Sequence, residues 1–345
     1  MVNMVVGKLP PEILKKYVFS RVGVTDPRVL VGPSIGEDAA VIDLGGGNVL
    51  VAHVDPISGA NEYIGWLAVH IPSNDIAVSG AKPHWLLPVL YLPEKADEEL
   101  IDNITYQMDS AAKEINAMIV GGHSEFTPGI KRPLISMTAM GVTTLDKYVK
   151  SGGAKPGDVV LMTKSAGIEG TAILASDFSD LLLSRGIDEG MISSARNMIK
   201  SVSVVRDALT LAEDNIPTAM HDPTEGGILG GVLELAYASN TSIVVYEETI
   251  PITKETKTFC SILGLDPLKM LSSGTLIASV PINKLDNALK KLRSEGIEAS
   301  IIGEVVERRD YLVKIYRKNG KEDTFSDIYI SDEIIRLWSS NPNTI

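Results

Sequence analysis

The stretch GEDAAVIDLGGGNVLVAHVD, residues 36–55, decides how this chain is read. Two apolar runs, Ala39–Asp43 and Val49–Val54, flank Leu44-Gly45-Gly46-Gly47-Asn48. Glycine at such a tip supplies the positive φ that a tight reversal needs, so the spacing predicts an antiparallel hairpin. An aspartate stands at each open end, Asp38 before the first strand and Asp55 after the second. With the turn centred near Gly46 and Gly47, the two are equidistant from the tip and face each other in a simple hairpin. Like charges placed opposite destabilise a pair. A divalent cation between them reverses that sign, and Mg²⁺ takes a few carboxylates together with phosphate oxygens and water. The plainer alternative is two turn aspartates, with Asp55-Pro56 as an ordinary turn signal.

Working outward, a helix is expected over 62–79, stopped by Gly80 with Pro83 beyond. Its apolar stripe runs through Ile64, Leu67, Ala68, Ile71 and Val78, and Asn74 and Asp75 continue the same face. A polar pair where apolar residues are expected breaks the binary pattern, which favours a functional site over a buried cap. Before this segment come a short helix near Pro11–Arg21 and a Gly/Pro connector. After it come a strand at Leu86–Leu92, a long amphipathic helix at Asp97–Met118 and a strand at Pro133–Val142. Gly121-Gly122-His123-Ser124-Glu125 interrupts a further strand, and its glycines permit close approach of a ligand, with His123 or Glu125 as phosphate or metal contacts.

The stretch Lys150-Ser-Gly-Gly-Ala-Lys-Pro-Gly-Asp158 is the expected boundary between residues 1–149 and 155–345. Beyond it, strands and helices mix without strict βαβ alternation, so the class is α+β. His221-Asp222-Pro223-Thr224-Glu225-Gly226-Gly227 precedes a helix, and Gly167-Ile168-Glu169-Gly170-Thr171 is a second strand-to-helix junction. Asp222 and Thr224 suit helix starts as caps. The other reading is a pair of helix N-termini aimed at an anion.

The 345 residues carry a net charge of −12 and no basic block, which argues against a nucleic-acid binder. With Cys260 the only cysteine, no intrachain disulfide forms. No apolar run reaches membrane-spanning length and the start lacks a secretory pattern, so a cytoplasmic location is expected. Neither a Walker loop nor a GxGxxG fingerprint is present.

In this order, Gly36-Glu-Asp-Ala-Ala-Val41, Val54-Asp55, Asn74-Asp-Ile-Ala-Val-Ser-Gly-Ala-Lys-Pro83, Gly121-Gly-His-Ser-Glu125, Lys155-Pro-Gly-Asp158, Asp222-Pro-Thr-Glu-Gly-Gly227 and Ile302-Gly-Glu-Val305 resemble the aminoimidazole ribonucleotide (AIR) synthase-like, or PurM-like, superfamily, nearest to its HypE hydrogenase-maturation branch. The resemblance implies a two-domain AIR synthase-like fold. Its N-terminal ATP/Mg-binding domain forms an intersubunit β-barrel in a homodimer, and its C-terminal α/β sandwich domain takes the substrate. It implies ATP near the dimer interface, Mg²⁺ held by Asp38, Asp55 and Asp75, and Asn74 placing the triphosphate. Gly7-Lys8 partially matches a mobile phosphate-covering element, with a solvated terminal lysine as the alternative. Catalytic roles fall to Asp75, Lys8 and Asp222, and nucleotide contacts to Asn74, Gly121, Gly122, His123, Gly167, Thr171 and Gly226.

Two features depart from the resembled pattern. The sequence ends Ser339-Ser-Asn-Pro-Asn-Thr-Ile345 without the branch's cysteine, and His123 stands where several members carry aspartate. The expected activity is Mg-dependent, ATP-driven phosphorylation or activation of an oxygen on a small substrate or carbamoyl-type group, with a maturation partner protein. The alternative is a non-catalytic nucleotide-binding scaffold.

Overall fold

The computed structural model describes residues 7–59 and 61–340. The opening and closing residues, on which the expectations about a leader and a cysteine tail rest, lie outside the described residues. The first half runs α1 Pro11–Ile13, β1 Val29–Val31, β2 Ala40–Gly45, β3 Asn48–Ile57, α2 Ile64–Val78, β4 Lys82–Pro93, α3 Glu98–Glu114, β5 Met118–Ile119, β6 His123–Thr127 and β7 Leu134–Thr144. The second runs β8 Asp158–Thr163, α4 Ile168–Asp177, α5 Ser179–Ser184, α6 Glu189–Asn197, α7 Val205–Ala212, β9 Ala219–His221, α8 Gly227–Ala238, β10 Ser242–Tyr246 and α9 Lys254–Leu263. It closes with β11 Ile277–Pro281, α10 Leu285–Ser294, β12 Ala299–Val306, β13 Val313–Tyr316, β14 Glu322–Phe325 and α11 Glu333–Ser340.

Each half contributes one sheet of seven strands. The first has the order β1-β2-β3-β7-β4-β5 with β6 also on β4, and the second β14-β13-β10-β12-β8-β11-β9. The second sheet is buried on both faces. Leu161, Ala278 and Val280 face α7 and α10, whereas Val160, Met162 and Ile277 face α8. No described helix is long and apolar enough to cross a membrane.

The hairpin forms, but not in the simple register. Asp43 Oδ1 accepts a 2.7 Å hydrogen bond from the Gly45 amide, and the ladder bulges between them. Val41 therefore pairs with Val51, and the residue level with Asp38 is the exposed Val54 rather than Asp55. A bulge inserts one residue and slips everything beyond it.

Helix α2 also corrects the single-stripe reading. Every one of its residues except Trp66 is buried, because it lies against β3, β4 and β7 on one side and α3, α7 and β9 on the others. A helix enclosed all round has no solvent face for a stripe to contrast with. The segment near Pro11–Arg21 is only a short α-turn that widens into a π-turn at Leu14–Phe19. One apolar core joins the two halves: Val51, Ile76 and Leu86 cluster with Val205, Leu211, Met220 and Leu276.

Candidate active site

Along β3 the side chains alternate, so Val49, Val51, His53, Asp55 and Ile57 share one face. That row starts in the core and ends in a cavity of about 360 Å³ at the seam of the two halves. Asp75 enters the cavity from α2, Asp38 from the segment leading into β2, and Asp222 from just after β9. Oxygens of Asp38, Asp75 and Asp222 lie within 4.8 Å of one another, and ligand atoms of His53, Asp55 and Asp75 form a second such group. Asp38 and Asp55 thus meet through Asp75, not across the hairpin.

The electrostatics are those of crowded acids. Burial, then Asp55 and Asp38, push the Asp75 carboxyl well above the usual carboxylate range. Burial, then Asp75 and Asp38, do the same to Asp222. Asp75 Oδ2 and both carboxylate oxygens of Asp222 are buried without a hydrogen-bond partner. Buried acceptors left unpaired are costly, and an oxygen-seeking cation such as Mg²⁺ would satisfy all of them. The donor set is hard and oxygen-rich, and it fits that ion.

Basic groups brace the cluster. His221 places Nδ1 2.6 Å from Asp38 Oδ1 and Nε2 2.9 Å from Glu234 Oε2. Burial lowers its pKa, but Asp38 and Glu234 outweigh that and raise it well above the ordinary histidine value, which favours the protonated ring. Lys8 Nζ lies 3.2 Å from Glu234, and its backbone amide donates to Glu225. Burial would raise the Glu234 carboxyl, yet Lys8 and His221 hold it down at about 2. Ser151 Oγ donates to Asp38 at 2.8 Å.

The structure therefore gathers Asp38, Asp55, Asp75, Asp222 and Lys8. Asn74 is placed elsewhere: it is fully buried, donates to the Val202 carbonyl and accepts from the Val204 amide, tying α2 to the second half. Its neighbour Asp75 alone reaches the cavity. Gly121, Gly122 and His123 lie on the outer edge of the first sheet, with His123 exposed beside Glu125 at 3.1 Å.

The helix N-termini are not open anion sites. The Gly167 amide donates to Ser272 Oγ, and Thr171 bonds Thr256 in the core. The Gly226 amide donates to Asp332, whose other oxygen accepts from the first turn of α11. Nor does Asp222 cap α8, whose N-cap is Gly226 with φ 79°.

His53, His221 and Glu234 escaped the reading of the sequence. The signal for His53 was its place two residues before Asp55, on the same strand face. His221 adjoins Asp222, but it follows a three-residue strand with no periodicity to detect. Glu234 is the sole charged residue of α8, and that isolation was the clue.

A second cavity of about 660 Å³ adjoins the first and shares Lys8, Asp55 and Glu225 with it. Buried Glu169 faces it, and burial pushes that carboxyl up to about 7 despite hydrogen bonds from Ser273. A carboxyl whose folded value is raised destabilises the fold as pH climbs from the unfolded value to the folded one. Glu169→Gln should therefore gain stability over the parent between about pH 4 and about pH 8, on the order of 3 kcal/mol by urea denaturation. A difference independent of pH would refute this.

Residues 36–143 match the family AIR synthase related protein, N-terminal domain, and residues 155–315 match its C-terminal domain. A hydrogenase expression/formation protein of Methanocaldococcus jannaschii is 30% identical over 307 residues, covering 86% of this chain and 88% of its own. The carbamoyl dehydratase HypE of Azotobacter vinelandii is 31% identical over 277 residues, 78% of each chain. Among solved structures, a chain of a HypE–HypF complex superposes with a TM-score of 0.71 at 26% identity, covering 84% of this chain and 93% of that one. A HypE in complex with ATP shares the fold, with a TM-score of 0.71 at 24% identity over 94% and 96%. This chain belongs to the AIR synthase-related, PurM-like superfamily, on the hydrogenase-maturation branch that contains HypE.

Proposed function

We propose that this chain is a Mg²⁺-dependent, ATP-using enzyme of HypE type that activates an oxygen of a small substrate or carbamoyl-type group. The observation that carries the reading is the convergence of Asp38, Asp55, Asp75 and Asp222 at the seam of the halves, with buried oxygens of Asp75 and Asp222 left without a partner. Asp38, Asp55, Asp75 and Asp222 would hold Mg²⁺, which neutralises phosphate charge when bound. The chain's own groups do the rest. His221, bridging Asp38 and Glu234, holds the Asp38 carboxylate in place. Lys8, anchored by Glu234, keeps one positive charge at the cavity wall where a phosphate would lie. Positioning and charge stabilisation supply most of the catalysis in phosphoryl transfer.

The outer face of the first sheet supports a homodimer. Leu50, Ala52 and Val54 of β3 lie beside Thr138 and Met140 of β7, and Val54 is 54% exposed. Strand β6 is exposed along nearly its whole length, and Phe126 is 56% exposed. A sheet face this apolar is normally covered by another sheet. The HypE–HypF complex supports a second, heterologous contact, to a maturation partner protein.

Calorimetry with a non-hydrolysable ATP analogue tests the reading. Binding should require Mg²⁺ and vanish with a chelator, and the same sample should sediment as a dimer. Analogue binding that ignores Mg²⁺ would refute the metal–phosphate assignment.

A further inference from the structure

The second cavity differs in chemistry from the first. The walls of the first cavity carry a concentration of aspartates and glutamates with their histidine and lysine partners, beside apolar residues such as Leu14, Phe19 and Ile330. Most of the second cavity's wall is apolar: Leu67, Ile71, Ile173, Leu271 and the Trp338 ring. Trp338 lies so close to Gly59 that a Cβ there would sit 2.6 Å from the ring, so the wall exists only because that residue is glycine.

Arg132 also lines this cavity, and among the described residues it makes no salt bridge or hydrogen bond. Its positive charge is felt by the nearby Asp177 carboxyl, which it lowers against the effect of burial. Glu169 feels Glu225 and Asp55, so it stands at the end next to the metal cluster. The compartment therefore sets two polar groups in an apolar wall: a carboxyl raised to about 7 beside the carboxylate cluster, and a guanidinium with no salt bridge or hydrogen bond among the described residues.

We propose that this compartment holds the acceptor and selects a small organic anion with an apolar body, its anionic group on Arg132 and its reactive oxygen toward Glu169 and Asp55. The inference rests on reading the adjoining carboxylate cluster as the phosphate-activating site. A planar guanidinium suits carboxylate or phosphate through paired N–H donors. Protonated Glu169 can donate a hydrogen bond to a neutral oxygen, which a carboxylate at that place would repel. The nucleotide base is the rival occupant, but a base offers Arg132 no anion.

The test uses the full chain with Mg²⁺ and a saturating non-hydrolysable ATP analogue, and 4-phenylbutyrate and its uncharged amide as probes. The acid should bind alongside the nucleotide, about ten-fold more tightly than the amide. Arg132→Ala should remove that preference and Arg132→Lys should restore part of it, with thermal unfolding unchanged. Equal binding of acid and amide, no binding of the acid, or mutual exclusion with the nucleotide would overturn the proposal. If the nucleotide fails to bind while acid still beats amide, the fault lies with the ATP reading and not with the compartment.

Discussion

Asp75→Asn should abolish Mg²⁺-dependent ATP turnover, by at least about 10²–10³-fold, while leaving the metal-free protein as stable as the parent or more so. Asp75 is the one residue common to both candidate ligand groups, so its loss breaks each of them. The same substitution relieves the fold. Burial and the neighbouring carboxylates already drive Asp75 toward its neutral form, and asparagine is neutral at no cost. The readout is paired: ADP release, and melting temperature with Mg²⁺ against chelator. The parent should melt higher with Mg²⁺, and the variant should show no such response. Undiminished turnover would remove Asp75 from the site.

Gly36→Ala should cost about 2–5 kcal/mol and weaken metal binding with it. Gly36 has φ +84°, where side chains are strained, and its Cβ would sit 2.7 Å from the Glu234 carbonyl and 3.1 Å from Ala238. Both neighbours belong to α8, which also carries the carboxylate that holds His221 and Lys8. Relief can come only by parting the Gly36–Asp38 segment from α8, and that pulls Asp38 off His221. Gly129→Ala is the control: its φ is +80° with nothing within 4 Å of the added carbon, so backbone strain alone should cost about 1 kcal/mol. Equal losses in the two variants, measured by urea denaturation, would show that the α8 contact is unimportant.

How much of this was legible in the sequence varies with the kind of information each residue carries. The hairpin was readable because glycines and alternating apolar residues are local signals. Its register was not, because the bulge depends on the Asp43 side chain reaching the Gly45 amide. Asp75 stood out as a charge within an apolar helix, and Asn74 stood out equally. Their opposite fates are set by Val202 and Val204, more than a hundred residues away in the chain. The Asp38–His221–Glu234 chain joins residues from both halves, and no periodicity connects them. Strand β9 and helices α5 and α11 were too short to show a repeat, although α11 supplies a wall of the second cavity.

The apolar core that crosses the seam has a consequence for cooperativity. The glycine-rich stretch at 150–158 separates the sheets but not the side chains between them, since Val51 and Ile76 pack in one cluster with Leu211 and Leu276. Neither half can bury its own share alone, so the chain should unfold in a single transition, and cutting it at 150–158 should leave two fragments that fold only together. The carboxylate cavity lies on that seam and comes into being only when both halves have docked. Any ligand bound there draws on the folding free energy of the entire chain.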